Sequence, residues 1–417
     1  MAKSLSSEKK GGLHPAWLIF AACFMLNAST MGIVDNTYGL FYAPVCTAFG
    51  WKLSPFTAQR IFFGLSAAVA QIFVEKVYRR FPMKAVMGIS QIGYAATAAA
   101  FGLQNSLAGF YILSVIQGIC GAFVLYLPVP MLLNNWFVKN RGLALGLSAS
   151  ATGLFGAIVS PLLNSIIQSA GWRVGYFVRG ALALVVGLPL VLLFVRKAPE
   201  PYGLKPFGAE SAPADAEKAT PAEAAPELDY RLYRSILVVA IGVFALFAVA
   251  FMQHLSNFAI SSGLGASVGA AFASLAMIGN MVGKWIVGFS VDKFGAKKTT
   301  LGAFTAIFAA MIALSFGAGA KPLLYPAALL LGFSATFTGI LVPASINCFT
   351  RSAQFGRIMS HASTGMMVSA ALSPVLVGLV YDATGSYRPM FLIGAAVMAV
   401  SFGIAWILFS GRKKQAQ

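Results

Sequence analysis

Apolar runs long enough to cross the ~30 Å hydrocarbon core of a bilayer recur along the whole of this chain. Twelve can be counted, at roughly 16–45, 53–78, 84–104, 107–137, 142–168, 173–195, 235–263, 266–291, 299–318, 322–349, 355–381 and 387–410. Such a chain has few choices. Backbone N–H and C=O groups in hydrocarbon must be satisfied internally, and runs of about 20 residues do so as helices. The expected fold class is an all-α integral membrane protein with twelve transmembrane helices. Composition agrees: 58% of the 417 residues are hydrophobic and only 10% are charged, outside the range of ordinary soluble domains. The first run is too long for a signal-peptide core and is expected to stay as a spanning helix.

The net charge of +18 suggests a nucleic-acid partner until its distribution is followed. With an even number of spans and both termini inside, the cytoplasmic segments hold most of the 30 Lys and Arg, among them Lys76, Arg79, Arg80, Lys84, Lys139, Arg141, Arg196, Lys197, Lys293, Lys297 and Lys298. The outer side keeps Lys52, Arg60, Arg173, Lys321 and Arg388, with Arg179 just inside a span. This is the positive-inside bias. It points to a multi-pass protein of the cell (inner) membrane with both termini cytoplasmic, a lipid partner and no nucleic acid. A monomer is expected. Cys23, Cys46, Cys120 and Cys348 form no C-x-x-C pair and read as small buried hydrophobes, without disulfide or metal. No nucleotide-binding G-x-x-x-x-G-K-[ST] loop and no enzyme constellation is present, so neither an ATP-driven pump, an enzyme nor a cofactor is expected.

Residues 198–230 interrupt the apolar pattern with Pro199, Pro201, Pro206, Pro213, Pro221 and Pro226 and the acids Glu200, Glu210, Asp215, Glu217, Glu223, Glu227 and Asp229. Such a stretch buries too little to fold alone and is expected to be a mobile cytoplasmic linker. It divides the chain into two six-helix bundles, residues 1–197 and 231–417. The halves read as repeats. Span 5 opens at Arg141-Gly142 and continues through Ser150-Ala151-Thr152-Gly153, Ser160-Pro161 and Gly171-Trp172-Arg173. Span 11 opens at Gly356-Arg357 and continues through Ala362-Ser363-Thr364-Gly365, Ser373-Pro374 and Gly385-Ser386-Tyr387-Arg388. Parallel six-helix repeats are one plan of secondary transporters.

The loop after span 8 matches the signature G-x-x-x-D-[RK]-x-G-x-[RK]-[RK] through Gly288, Asp292, Lys293, Gly295, Lys297 and Lys298. By this signature, the twelve spans and the central linker, the chain resembles the major facilitator superfamily along nearly its whole length. The resemblance implies two bundles rocking about a central cavity, with this loop latching the inner side. In the N-terminal copy Glu75 and Lys76 survive, while Gln71 stands for the first Gly. A finer resemblance is to the oxalate/formate antiporter and monocarboxylate transporter group. It rests on Tyr38-Gly39-Leu40-Phe41-Tyr42-Ala43-Pro44-Val45, Asn135-Trp136-Phe137 before Arg141-Gly142-Leu143-Ala144, and Arg357 with His361-Ala362-Ser363. That group carries a cation in span 8, where Lys284 stands, and a span 4 tyrosine, matched by Tyr126. Its oxalate carrier has an intramembrane Lys in span 11, where His361 is found. Its outer span 10 aromatics are replaced by Ala335 and Gly339, which argues against oxalate itself.

Lys284 lies nine residues from Lys293, about 13 Å along a helix and so near the midplane. A charge there is a functional-site hypothesis by default. It either meets a substrate carboxylate or pairs with Asp35, the one acid deep inside a span. Asp35 reads as a proton carrier, a counter-ion or a gate. His254 has the same offset in span 7 and completes a candidate outer gate, or caps a helix end. His361, Asn280 and Gln117 are further candidate substrate contacts, with helix packing as the rival for each. The glycines of span 5, Gly142, Gly146, Gly153 and Gly156, read as close helix-packing positions.

The expected function is secondary transport of a small carboxylate of the monocarboxylate type, as a proton symporter or an anion exchanger. The alternative is proton-coupled efflux of lipophilic drug-like compounds centred on Asp35.

Overall fold

A bilayer offers backbone groups no water, and in the described part of the apolar runs the chain answers with helices. A computed structural model describes residues 14–125, 128–138, 141–209, 228–348 and 352–410. Among the described residues ten helices are long and apolar enough to span a membrane, and Leu107–Ala122 and Val368–Thr384 are shorter apolar helices at the places of the fourth and eleventh spans. The twelve are α1 (Ala16–Phe49), α2 (Leu53–Arg80), α3 (Met83–Leu103), α4 (Leu107–Ala122, resuming as Pro128–Trp136), α5 (Arg141–Ala170), α6 (Trp172–Phe194), α7 (Leu228–Ser261), α8 (Ala266–Val291), α9 (Lys293–Ser315), α10 (Pro322–Ile346), α11 (Ser352–Thr384) and α12 (Arg388–Ser410). Apolar side chains such as Leu65, Ile72, Ile89, Val185 and Phe289 are exposed, a pattern that suits a chain for which lipid stands in for water. We call the face reached by Arg80, Lys197 and Lys293 the basic face, and the opposite one the far face.

Three helices depart from α geometry near mid-span. α1 has a π-helical stretch at Ala28–Val34 followed by a 3₁₀ stretch at Asp35–Phe41. α10 carries a 3₁₀ turn at Gly332–Ala335 and a π turn at Phe337–Leu341. α4 breaks after Ala122. Such irregular turns re-aim side chains and concentrate at functional sites. The repeat signatures mark matched backbone features. α5 and α11 carry Pro161 and Pro374. They end at Gly171 and Gly385, with φ of +87° and +67°, a conformation that a side chain disfavours. Through the signature loop the helix continues from α8 into α9, and its one non-helical residue, Gly295 with φ +80°, falls near the start of α9. Lys293 is exposed there, Lys297 lies 4.8 Å from the Trp406 ring centroid, and the side chain of Asp292 lies outside the described part.

Two expectations need correction. Arg60 does not sit at the outer surface. It lies inside α2 with its side chain only 11% exposed, because an acid of the same bundle draws it inward. The start of the linker is also not free. Phe207 pairs with Phe137 as a backbone bridge and packs against the rings of His14, Trp17 and Phe137 at 5.4, 5.8 and 5.7 Å. Its aromatic side chain supplies the apolar anchor that a Pro- and acid-rich composition does not suggest. Residues 210–227 lie outside the described residues, and α7 already begins at Leu228.

Candidate functional site

The two halves meet closely along α5 and α8. Glycine makes this possible. A Cβ on Gly153 would fall 2.5 Å from the Met277 carbonyl oxygen, and one on Gly156 would fall 2.9 Å from Met277 Cγ. Pro161 has no N–H to give the carbonyl four residues earlier, Ala157. That carbonyl instead accepts from Ser274 Oγ of α8 at 3.1 Å. More than two helical turns nearer the basic face, Lys284 Nζ donates to the Ala149 carbonyl at 3.0 Å and to Thr152 Oγ1 at 3.3 Å. Among the described residues this is the hydrogen bond between the halves that lies nearest the basic face. The ammonium therefore rests on two neutral acceptors and meets no carboxylate among the described residues. Asn280, one turn before Lys284, is buried with its Oδ1 unpartnered among the described residues, and its backbone packs against Gly332 of α10.

Asp35 is engaged elsewhere. Its Oδ1 accepts from Arg60 Nη1 at 3.2 Å and from the Tyr94 hydroxyl at 3.3 Å, so the pairing with Lys284 does not form. The surrounding cluster is entirely within the first half. The guanidinium groups of Arg60 and Arg179 each lie 4.5 Å from the Tyr38 ring centroid. The Tyr38 hydroxyl donates to Gln117 Oε1. Gln117 thus belongs to this cluster and not to the surroundings of Lys284. Arg179 is fully buried, and none of its three nitrogens has an acceptor among the described residues. Aromatic faces stabilise it instead: Tyr176 and Phe41 lie 4.6 and 4.8 Å away.

At the far face α1 and α7 nearly touch. A Cβ on Gly39 would meet the Gln253 carbonyl oxygen at 1.8 Å, so only glycine fits. Tyr42 Oη donates to Gln253 Oε1 at 3.2 Å. His254 does not face Asp35. Its Nδ1 lies 3.1 Å from the Tyr387 hydroxyl and its Nε2 lies 3.2 Å from the Pro374 carbonyl, while its ring sits 5.0 Å from that of Tyr42. α2 and α11 close the other side, with a Cβ on Gly64 only 2.9 Å from Ala371 Cβ. His361 lies on an exposed face of α11 in the half nearer the basic face. Tyr126 lies outside the described residues.

Sequence reasoning found the intramembrane charges Lys284 and Asp35 but missed their partners. The signal for Arg60 was present: a lone acid in hydrocarbon needs a cation, and Arg60 stands seven residues inside an adjacent apolar run. No sequence signal selects Ala149, whose contribution is a backbone carbonyl.

The chain matches the family model described as Major Facilitator Superfamily over residues 16–354 and 273–417. Monocarboxylate transporter 12 of Mus musculus is 23% identical, over 99% of this chain and 89% of that protein. The hexuronate transporter of Bacillus subtilis is 24% identical, over 79% of each. The solved structure of a bacterial homologue of the human lysosomal transporter Spinster is 15% identical and superposes with a TM-score of 0.69, over 95% of this chain and 98% of that one.

Proposed function

The chain belongs to the major facilitator superfamily, is a transporter rather than an enzyme, and on that premise we propose that its cargo is a small organic carboxylate. The observation that carries this reading is Lys284, a cation in the eighth span held only by neutral acceptors among the described residues. An ionised carboxylate is a stronger partner for an ammonium than a helix carbonyl. An arriving carboxylate takes Lys284 from Ala149 and Thr152. In doing so it releases a contact between the halves, so occupancy biases the alternating equilibrium. The names of two relatives, a monocarboxylate and a hexuronate transporter, belong to carriers of organic acids.

Further contacts to the cargo come from Tyr126, His361 and Asn280, with Gln117 acting from its place beside Tyr38. Asp35 and His254 set the far gate within their own halves. Gly288, Asp292, Lys293, Gly295, Lys297 and Lys298 form the latch on the basic side. Residues 1–197 and 231–417 move as units about 198–230. We assign the basic face to the cytoplasm, both termini with it, and the protein to the cell membrane as a monomer. The driving partner is a proton moving with the cargo or a second anion exchanged for it.

Proteoliposome uptake tests the reading. Radiolabelled monocarboxylates are expected to enter saturably, in competition with other carboxylates and not with organic cations. Lys284→Ala is expected to lower kcat/KM by about 10–100-fold, the worth of one charged hydrogen bond, with Lys284→Arg retaining part. Carboxylate uptake indifferent to Lys284→Ala overturns the reading.

A further inference from the structure

Asp382 ends the apolar part of α11 at the far face and reaches across to the other half. Its Oδ1 accepts from the backbone N–H of Leu53 at 2.9 Å, and its Oδ2 accepts from that of Ser54 at 2.8 Å. These N–H groups open α2 and have no acceptor within their own helix. Among the described residues, Asp382 is the only charged side chain that hydrogen-bonds between the halves at the far face.

Both ends of this contact are anchored. On the first half, the Tyr111 hydroxyl of α4 donates to the Pro55 carbonyl at 2.6 Å and fixes the start of α2. On the second half, Tyr381 stacks on Tyr387 with centroids 4.6 Å apart, and Asn257 Nδ2 of α7 donates to the Tyr387 hydroxyl at 2.6 Å. The backbones also meet beside the carboxylate, since a Cβ on Gly378 would fall 3.0 Å from Ser54 Cα. A rigid element on each side and one charge-assisted junction between them is the construction of a latch.

We propose that Asp382 is the latch of the far gate. Its carboxylate holds α2 to α11 while the far side is closed. When the halves rock apart there, water takes over the carboxylate and both N–H groups. A polar junction at the membrane edge can therefore open and re-form with each cycle. The proposal concerns the gate alone and does not depend on which cargo is carried.

Spin-label distance measurements test it, in a cysteine-free background reconstituted in nanodiscs. One label pair replaces the exposed Thr47 and Ser261 at the far ends of α1 and α7, and another replaces the exposed Val138 and Ser410 at the basic face. In Asp382→Ala the longer-distance population of the far pair is expected to rise about tenfold relative to the closed one, the effect of losing a charged hydrogen bond. The basic pair is expected to shorten reciprocally. Asp382→Asn, which keeps one acceptor, is expected to fall between and stands in if the alanine variant does not fold. Unchanged distances, or both pairs lengthening together, overturn the proposal.

Discussion

Asp35 shows how an intramembrane charge is kept without being free. It shares a carboxylate oxygen between Arg60 and Tyr94, and both members of the ion pair are 11% exposed. Breaking such a pair from one side leaves a charge with nothing to meet it, a loss of about 3–5 kcal/mol, whereas replacing both members costs little. Thermal unfolding of purified variants is therefore expected to show Asp35→Asn and Arg60→Met each strongly destabilised and the double variant largely recovered. Additive losses in the double variant would mean that the two side chains act separately. Sequence alone singled out Asp35 because it is the one acid deep inside a span, away from its ends. It could not choose the partner, since Arg60 and Lys284 are both cations in apolar runs and only the packing of α1 on α2 decides between them. Arg179 was visible as a charge inside α6, but its setting of aromatic faces draws on α1 and α3 and has no local pattern.

α5 is the element on which the halves converge. Its carbonyls at Ser148, Ala149, Thr152 and Ala157 accept from Asn27, Lys284, Asn36 and Ser274. The first and third of these donors belong to α1 of its own half, and the second and fourth to α8 of the other. The glycines on this helix have separable roles. A Cβ on Gly153 would meet Met277 O at 2.5 Å, whereas one on Gly146 has open space around it. Gly153→Ala is expected to push α8 away and disturb the Lys284 contact, lowering uptake about tenfold, in line with the 1–3 kcal/mol of an overpacked interface. Gly146→Ala is expected to transport like the wild type, and equal effects at both positions would refute the assignment. The glycine spacing was legible as a packing surface. Which glycines face the other half was not, because that depends on how far α5 is rotated. The Ser160-Pro161 motif was likewise legible as a repeat marker, while its consequence, a carbonyl freed for Ser274, needs a helix more than 100 residues away.

For the whole molecule, the spans, their division into six and six, and the kinship of the halves could be read from apolar length, the acid- and proline-rich interruption and the paired motifs. The closed far side could not, since it is made of single contacts between distant segments. Among the described residues it includes Gly39 against Gln253, Gly64 against Ala371, Gly378 against Ser54, and Asp382 on Leu53 and Ser54. If transport proceeds by rocking of the halves, a covalent bond across any of these contacts must stop it. Gly64 and Ala371 offer the place. A Cβ at 64 would lie 2.9 Å from that of Ala371, somewhat inside the ~3.5–4.5 Å of a disulfide, so the two helices need to part by about 1 Å to accept the bridge. The paired variant Gly64→Cys with Ala371→Cys, in a cysteine-free background, is expected to lose uptake on mild oxidation and regain it on reduction, with each single variant insensitive to both treatments. Oxidised protein in which mass spectrometry finds the bridge, but which still transports at full rate, would show that α2 and α11 need not separate at this level. The moving boundary between the halves would then have to lie elsewhere than along these two helices.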